Sequence, residues 1–184
     1  MNAAADAERN MLGARDAVEA HGDAWHRYAT AAAGEGYDPR RSFGEALGRY
    51  DRVLALGPET ASLRLRRGRC YRALGERRGS PEFRAWCLAR ALEELDAAVA
   101  LAPDDAEVRA ERGLAALGAA GIEASLGREA SEATGRALAD LDHALKLRPR
   151  FPLARKGRGL ALAAVADAAL ARGADPVQPA AAAN

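Results

Sequence analysis

Lysine is nearly missing from this 184-residue sequence: Lys and Arg together number 27, yet only Lys146 and Lys156 are lysines. High-GC coding bias is the simplest reading of so much arginine. Aromatic residues make up 5% of the chain, too few for a sheet, whose faces want β-branched and aromatic side chains. Two cysteines, Cys70 and Cys87, make neither a disulfide framework nor a metal site. Placed on adjacent antiparallel helices, their side chains could approach, but two small buried thiols are the expectation in a reducing compartment. No apolar run is long enough to cross a membrane, and no basic start followed by an apolar stretch opens the chain. Cytoplasmic placement follows, with the provision that a signal could lie elsewhere if this is a segment of a larger protein. A net charge of +1 argues against nucleic acid or an anionic membrane as partner.

Catalytic constellations are also lacking. His21 and His26 stand five residues apart, hence about 140° around a helix, and cannot share a metal. His143 has no converging ligands in sequence. The acid pairs Glu93-Glu94 and Asp104-Asp105 diverge in space as sequence neighbours, and no glycine-rich phosphate loop follows a strand. No catalytic, cofactor-binding or metal residue is expected, and no cofactor.

What is present is a phrase used three times. Ala46, Ala91 and Ala137 open ALGRYDRVLALGP, ALEELDAAVALAP and ALADLDHALKLRP. Each has a large apolar residue four after the Ala and a Pro twelve after it. Ten residues beyond Pro58, Pro103 and Pro149 stand Gly68, Gly113 and Gly159, each preceded by Arg67, Arg112 or Arg158. A fixed period is the mark of stacked repeats, whose units bury their apolar faces only against neighbours.

Periodicity predicts seven helices. The first covers residues 3 to 33, with apolar residues at Met11, Ala14, Val18, Trp25, Tyr28 and Ala32. Asp38-Pro39 is expected to cap the second, which runs to Leu56 with Phe43, Ala46, Leu47, Tyr50, Val53 and Leu54 on one face. A third, Glu59 to about Arg77, is the most basic. Ser80-Pro81 should start the fourth, with Phe83, Trp86, Leu92, Leu95 and Val99 as its buried face. A fifth runs from Asp105 to a hairpin near Gly127, a sixth carries Ala137 to Leu145, and a seventh spans about Arg150 to Arg172. The stretch after Gly173, rich in proline and small residues, is expected to be a disordered tail.

Gly68 with Tyr71 three on, Ala91 with Leu95 four on, and Pro103 resemble the tetratricopeptide repeat (TPR) of a bacterial protein. Gly22 and Trp25 fill the same slots in the first helix. Arg64, Arg109 and Arg155 stand where the family has Trp, and the Tyr slot holds Tyr71, Ala116 and Leu162. The period, near 45, exceeds the family's usual length, and the surplus lies between Gly and Ala, which predicts longer helices at each hairpin end. The resemblance implies an all-α, right-handed α-solenoid of helix-turn-helix units, about three and a half repeats. These are 3–58, 59–103, 104–149 and a capping helix 150–172 in a single domain 1–172, with 173–184 as tail.

The resemblance further implies a concave groove lined by the first helix of each pair. Carried over by position, partner-binding residues are Arg66, Arg69 and Arg72, then Glu107, Glu111 and Leu114, then Lys156 and Leu160, preceded by Glu19, Asp23 and His26. The three arginines should be exposed and free of internal partners. Guanidinium groups match carboxylates, so an acidic peptide is the natural ligand. The family's variant that grips a terminal carboxylate with Lys and Asn is excluded, because Asn2, Asn10 and Asn184 are all terminal. The expected function is noncatalytic binding of a peptide or helix of an unidentified partner, by a monomer or weak homodimer. The alternatives are a self-association domain, joined through Met11, Leu12 and Val18 or through Leu160, Leu162 and Val165, and a regulatory segment of an enzyme such as a kinase.

Overall fold

A computed structural model describes residues 3–77 and 79–171, with side chains from residue 10 onward. The expected tail at 173–184 lies outside the described residues. Within them there are seven helices and no strand: α1 Ala3–Gly34, α2 Arg40–Leu56, α3 Ala61–Gly75, α4 Pro81–Leu101, α5 Ala106–Ser125, α6 Ser131–Leu147 and α7 Pro152–Ala171. Pro58, Pro103 and Pro149 each stand two residues beyond the end of α2, α4 and α6, in equivalent places. The described chain forms two compact units, divided between Ala102 and Pro103.

In the first unit α1 packs on α2, and α3 on α4. One core joins them, built from Ala29, Phe43, Tyr50, Val53, Leu63, Cys70, Leu74 and Cys87. α1 ends where Gly36 takes φ +87°, and the amides of Gly36 and Tyr37 return to the carbonyls of Ala33 and Ala32. That left-handed closing residue is one a side chain would strain. Thr60 caps α3 by accepting from the Leu63 amide, and Ser80 caps α4 by accepting from the Phe83 amide, with Pro81 as its first residue. Asp38 is not the cap of α2. It sits one residue too early, accepts from the Arg40 amide at 3.0 Å and pairs with the Arg40 guanidinium. Pro39 occupies the capping position without a side-chain bond.

The second unit holds α5, α6 and α7. Asp105 caps α5, receiving the Glu107 and Val108 amides. Gly127 closes α5 as Gly36 closes α1, at φ +70°, so the hairpin falls where the sequence suggested. The core consists of Ala110, Leu141, Ala144, Ala154 and Ala161, flanked by Leu114, Leu117, Leu138, Leu145, Phe151 and Leu153.

The long period is not shared evenly between the helices of a pair. In the first unit α4 has 21 residues and α3 only 15; in the second α5 has 20 and α6 has 17. α3 stops at Gly75 because α4 crosses it closely there. A Cβ on Gly75 would meet Leu88 Cγ at 2.6 Å, and Arg84 Nε donates to the Gly75 carbonyl at 3.0 Å, closing the helix end.

Candidate functional site

The repeated glycine is a notch. A Cβ on Gly22 would lie 2.6 Å from the Tyr50 ring, one on Gly68 2.6 Å from Leu95, and one on Gly113 2.8 Å from Leu141. Each intruder is the large residue four after Ala46, Ala91 or Ala137. The side chain of the second helix therefore fills the place where the first helix has none, bringing the backbones together. At Gly159 nothing among the described residues lies within 4 Å of a Cβ; in α7 it is Gly157 that receives Leu114 and Leu141.

Around each notch arginines bind the paired helix. Arg64 and Arg67 both donate to Glu94, at 2.7 and 2.9 Å, and Arg67 also reaches Asp51 of α2. In the second unit Arg112 donates to both oxygens of Asp140 at 2.7 Å, and Arg109 joins at 3.2 Å. Burial alone would raise the Glu94 carboxyl, but hydrogen bonds from Arg67 and Arg64 outweigh it and hold it below the usual value. At Arg64 and Arg109 the first helix of each pair is thus tied to the second by an ion cluster. The signal was legible: arginines three apart at 64/67, 109/112 and 155/158, and an acid three after Ala91 and Ala137.

The groove residues taken from sequence come out differently. Arg66 is neither free nor fully exposed: it pairs with Glu19 and, at 3.1 Å, with Asp23, its side chain 29% exposed. Burial and the neighbouring Arg69 lower its pKa. Arg72 pairs with Glu76 and its side chain is 17% exposed, while Arg69 is partly buried. The expectation of three exposed, unpartnered arginines fails: Arg66 looks toward α1, where Glu19 and Asp23 lie, and Arg72 pairs with Glu76 just beyond the end of its own helix. Glu111 is 3% exposed. Glu107 is half-buried; Lys156 and Leu160 are exposed. Asp23 also accepts from the Tyr50 hydroxyl at 2.8 Å, and His26 Nδ1 lies 3.1 Å from Cys70 Sγ. Cys70 and Cys87 are both free and buried, and burial pushes the Cys70 thiol up to about 12.

Sequence periodicity missed an aromatic surface. Phe83 and Trp86 were expected in the core but are 38% and 55% exposed. Leu95 and Val99 are buried as expected, but the buried stripe of α4 begins at Cys87 and Leu88 and runs through Ala91 and Ala98, and the two rings project from its edge. They stack at 6.4 Å, Tyr71 of α3 stands edge-on to Trp86 at 6.0 Å, and the Arg90 guanidinium lies 5.8 Å from the Tyr71 ring centre. Among the described residues no group of three or more His, Cys, Asp or Glu is placed to hold a metal, and no helix is long and apolar enough to cross a membrane.

No family model matches the sequence, and no curated protein matches it. Solved structures do resemble it. The NMR structure of the first TPR domain of human RPAP3 aligns with a TM-score of 0.53 at 19% identity, over 79% of this chain and 93% of that one. The first TPR of Spaghetti (RPAP3), bound to the HSP90 peptide SRMEEVD, gives 0.52 at 19% identity, over 79% and 95%. The chain is thus an all-α protein built of helix pairs of the TPR kind.

Proposed function

We propose that the chain is a noncatalytic protein-interaction module that holds a peptide or helix of a partner protein. The observation that carries this is the Tyr71, Phe83 and Trp86 surface with Arg90 at its edge. A chain with 5% aromatics leaves Phe83 and Trp86 exposed side by side, with the partly buried Tyr71 edge-on to Trp86. Aromatic rings beside arginine are the side chains that dominate binding energy at protein interfaces. The Spaghetti domain holding a peptide lends support by analogy of fold alone.

The residues chosen from sequence keep unequal places in this reading. Lys156 is exposed. An acidic ligand gains from Arg66 or Arg72 only by displacing Glu19, Asp23 or Glu76, and Glu111 is enclosed. Arg69 and Glu107 are both partly buried.

Selection of a displayed peptide library on the intact protein tests the proposal. Recovered peptides should bind saturably, and Trp86→Ala should weaken them about thirtyfold, as expected for an anchor worth about 2 kcal/mol. Failure to recover any saturable ligand, or ligands indifferent to both Trp86→Ala and Phe83→Ala, would reject it.

A further inference from the structure

Two first helices hold their second helix by one set of features. The notch at Gly68 takes Leu95, and the notch at Gly113 takes Leu141. Beside each notch an arginine pair, Arg64 with Arg67 or Arg109 with Arg112, closes on the carboxylate just before that leucine, Glu94 or Asp140. Arg67 also reaches back sixteen residues to Asp51 on the preceding second helix.

α7 carries the same set in the same register: Arg155, Arg158 and Gly159. Its rear contact is made, for Arg158 Nε donates to Asp142, again sixteen residues back, at 2.6 Å. Among the described residues its forward face is open. Nothing lies within 4 Å of a Cβ built at Gly159, the Arg158 and Asp142 side chains are 45% and 46% exposed, and Leu162 is 44% exposed. Among the described residues Arg155 donates to the Pro149 carbonyl alone, as Arg109 does to that of Pro103, while Arg109 also has Asp140. An open hollow of about 600 Å³ is lined by Asp142, Leu145, Lys146, Arg155, Arg158 and Gly159.

We propose that this face of α7 docks an amphipathic helix of a partner protein in which a carboxylate is followed immediately by leucine. The leucine seats on Gly159, and the carboxylate lies between Arg155 and Arg158, matching the guanidinium charge. A second copy is a poor source. Acid followed by Leu occurs only at Glu94-Leu95 and Asp140-Leu141, and both pairs are enclosed in their own hairpins. Residues 172–184 contain one acid, Asp175, followed by Pro. The site is separate from the aromatic surface of the first unit and does not depend on it.

The probe is a synthetic peptide of residues 131–148, side-chain-stapled because short isolated helices are marginal in water. Titrated onto the intact 184-residue protein and followed by calorimetry, it should bind saturably. Gly159→Leu, whose Cβ has open space around it, fills the notch and should weaken binding about tenfold or more, as should Asp140→Lys in the peptide. Arg155→Glu should act likewise, and Arg136→Glu, at an exposed position of α6, should change affinity by no more than about threefold. Circular dichroism confirms that each variant is folded. Lack of saturable binding up to about 1 mM overturns the proposal, and so does binding indifferent to Gly159→Leu. Sedimentation supplies a further check: if the protein alone dimerises and Gly159→Leu disperses the dimer, the face belongs to a second copy and the proposal is wrong.

Discussion

Arg67 and Glu94 meet at 2.9 Å between α3 and α4, with side chains 7% and 3% exposed. Neither charge could stay there alone. Removing one partner of a buried pair costs about 3–5 kcal/mol, because the other charge is left without compensation. Glu94→Ala should therefore destabilise the first unit by about 3 kcal/mol, at the low end because Arg67 keeps Asp51. Arg158→Ala breaks a pair with both side chains near half exposure and should cost less than about 1 kcal/mol. Urea unfolding distinguishes the two, and Trp25 and Trp86 report the first unit by fluorescence.

The same carboxylate makes stability depend on pH. Glu94 is held below its ordinary value in the folded chain, so its contribution is complete above the unfolded carboxylate value, about 4.3, and is lost as pH falls through the folded value. The denaturation midpoint of the first unit should drop as pH falls from about 5 toward 3. Glu94→Gln should be less stable at neutral pH and show a flatter acid limb. An unchanged slope in that variant would mean that other carboxylates dominate acid unfolding.

One register position should respond in opposite directions in two helices. At Gly68 a Cβ meets Leu95 at 2.6 Å, so Gly68→Ala forces the helices apart, at a cost of about 1–3 kcal/mol before a smaller helix-propensity gain. At Gly159 the space is open, and Gly159→Ala should stabilise α7 by about 0.5–1 kcal/mol. Thermal melts of both variants check the signs. Destabilisation by both would mean that Gly159 also faces a packed helix.

The repeating phrase made most of this fold legible. Proline places, the notch glycines and the large side chains that fill them recur at intervals that differ by a single residue, and such intervals survive stacking. Exposure was less legible. Phe83 and Trp86 fall near the stripe through Cys87 and Leu88, and hydrophobicity alone does not say which edge of a stripe faces outward. Ion pairing between helices was missed for another reason: Arg66 finds Glu19 and Asp23, more than forty residues earlier in the sequence, and only the packing of α3 near α1 brings them together. The shortness of α3 follows from Gly75 and Arg84, a close crossing that no local propensity encodes.

Arg66 gives the sharpest contrast between sequence and structure. A solvated arginine can be reversed in charge for about 0.5 kcal/mol or less, but Arg66 is only 29% exposed and lies against Glu19 and Asp23. Arg66→Glu places a third carboxylate in that cluster and should cost about 1–3 kcal/mol, since partly buried groups lose both a partner and solvent. Lys156→Glu, on an exposed position, should stay within about 0.5 kcal/mol. Adding Glu19→Arg to Arg66→Glu should recover part of the loss, because the swap restores opposite charges across the α1–α3 contact. A double-mutant cycle by urea denaturation measures the coupling. A coupling near zero, with Arg66→Glu as mild as Lys156→Glu, would show that the Arg66 guanidinium spends its time in solvent and is available to an acidic ligand after all.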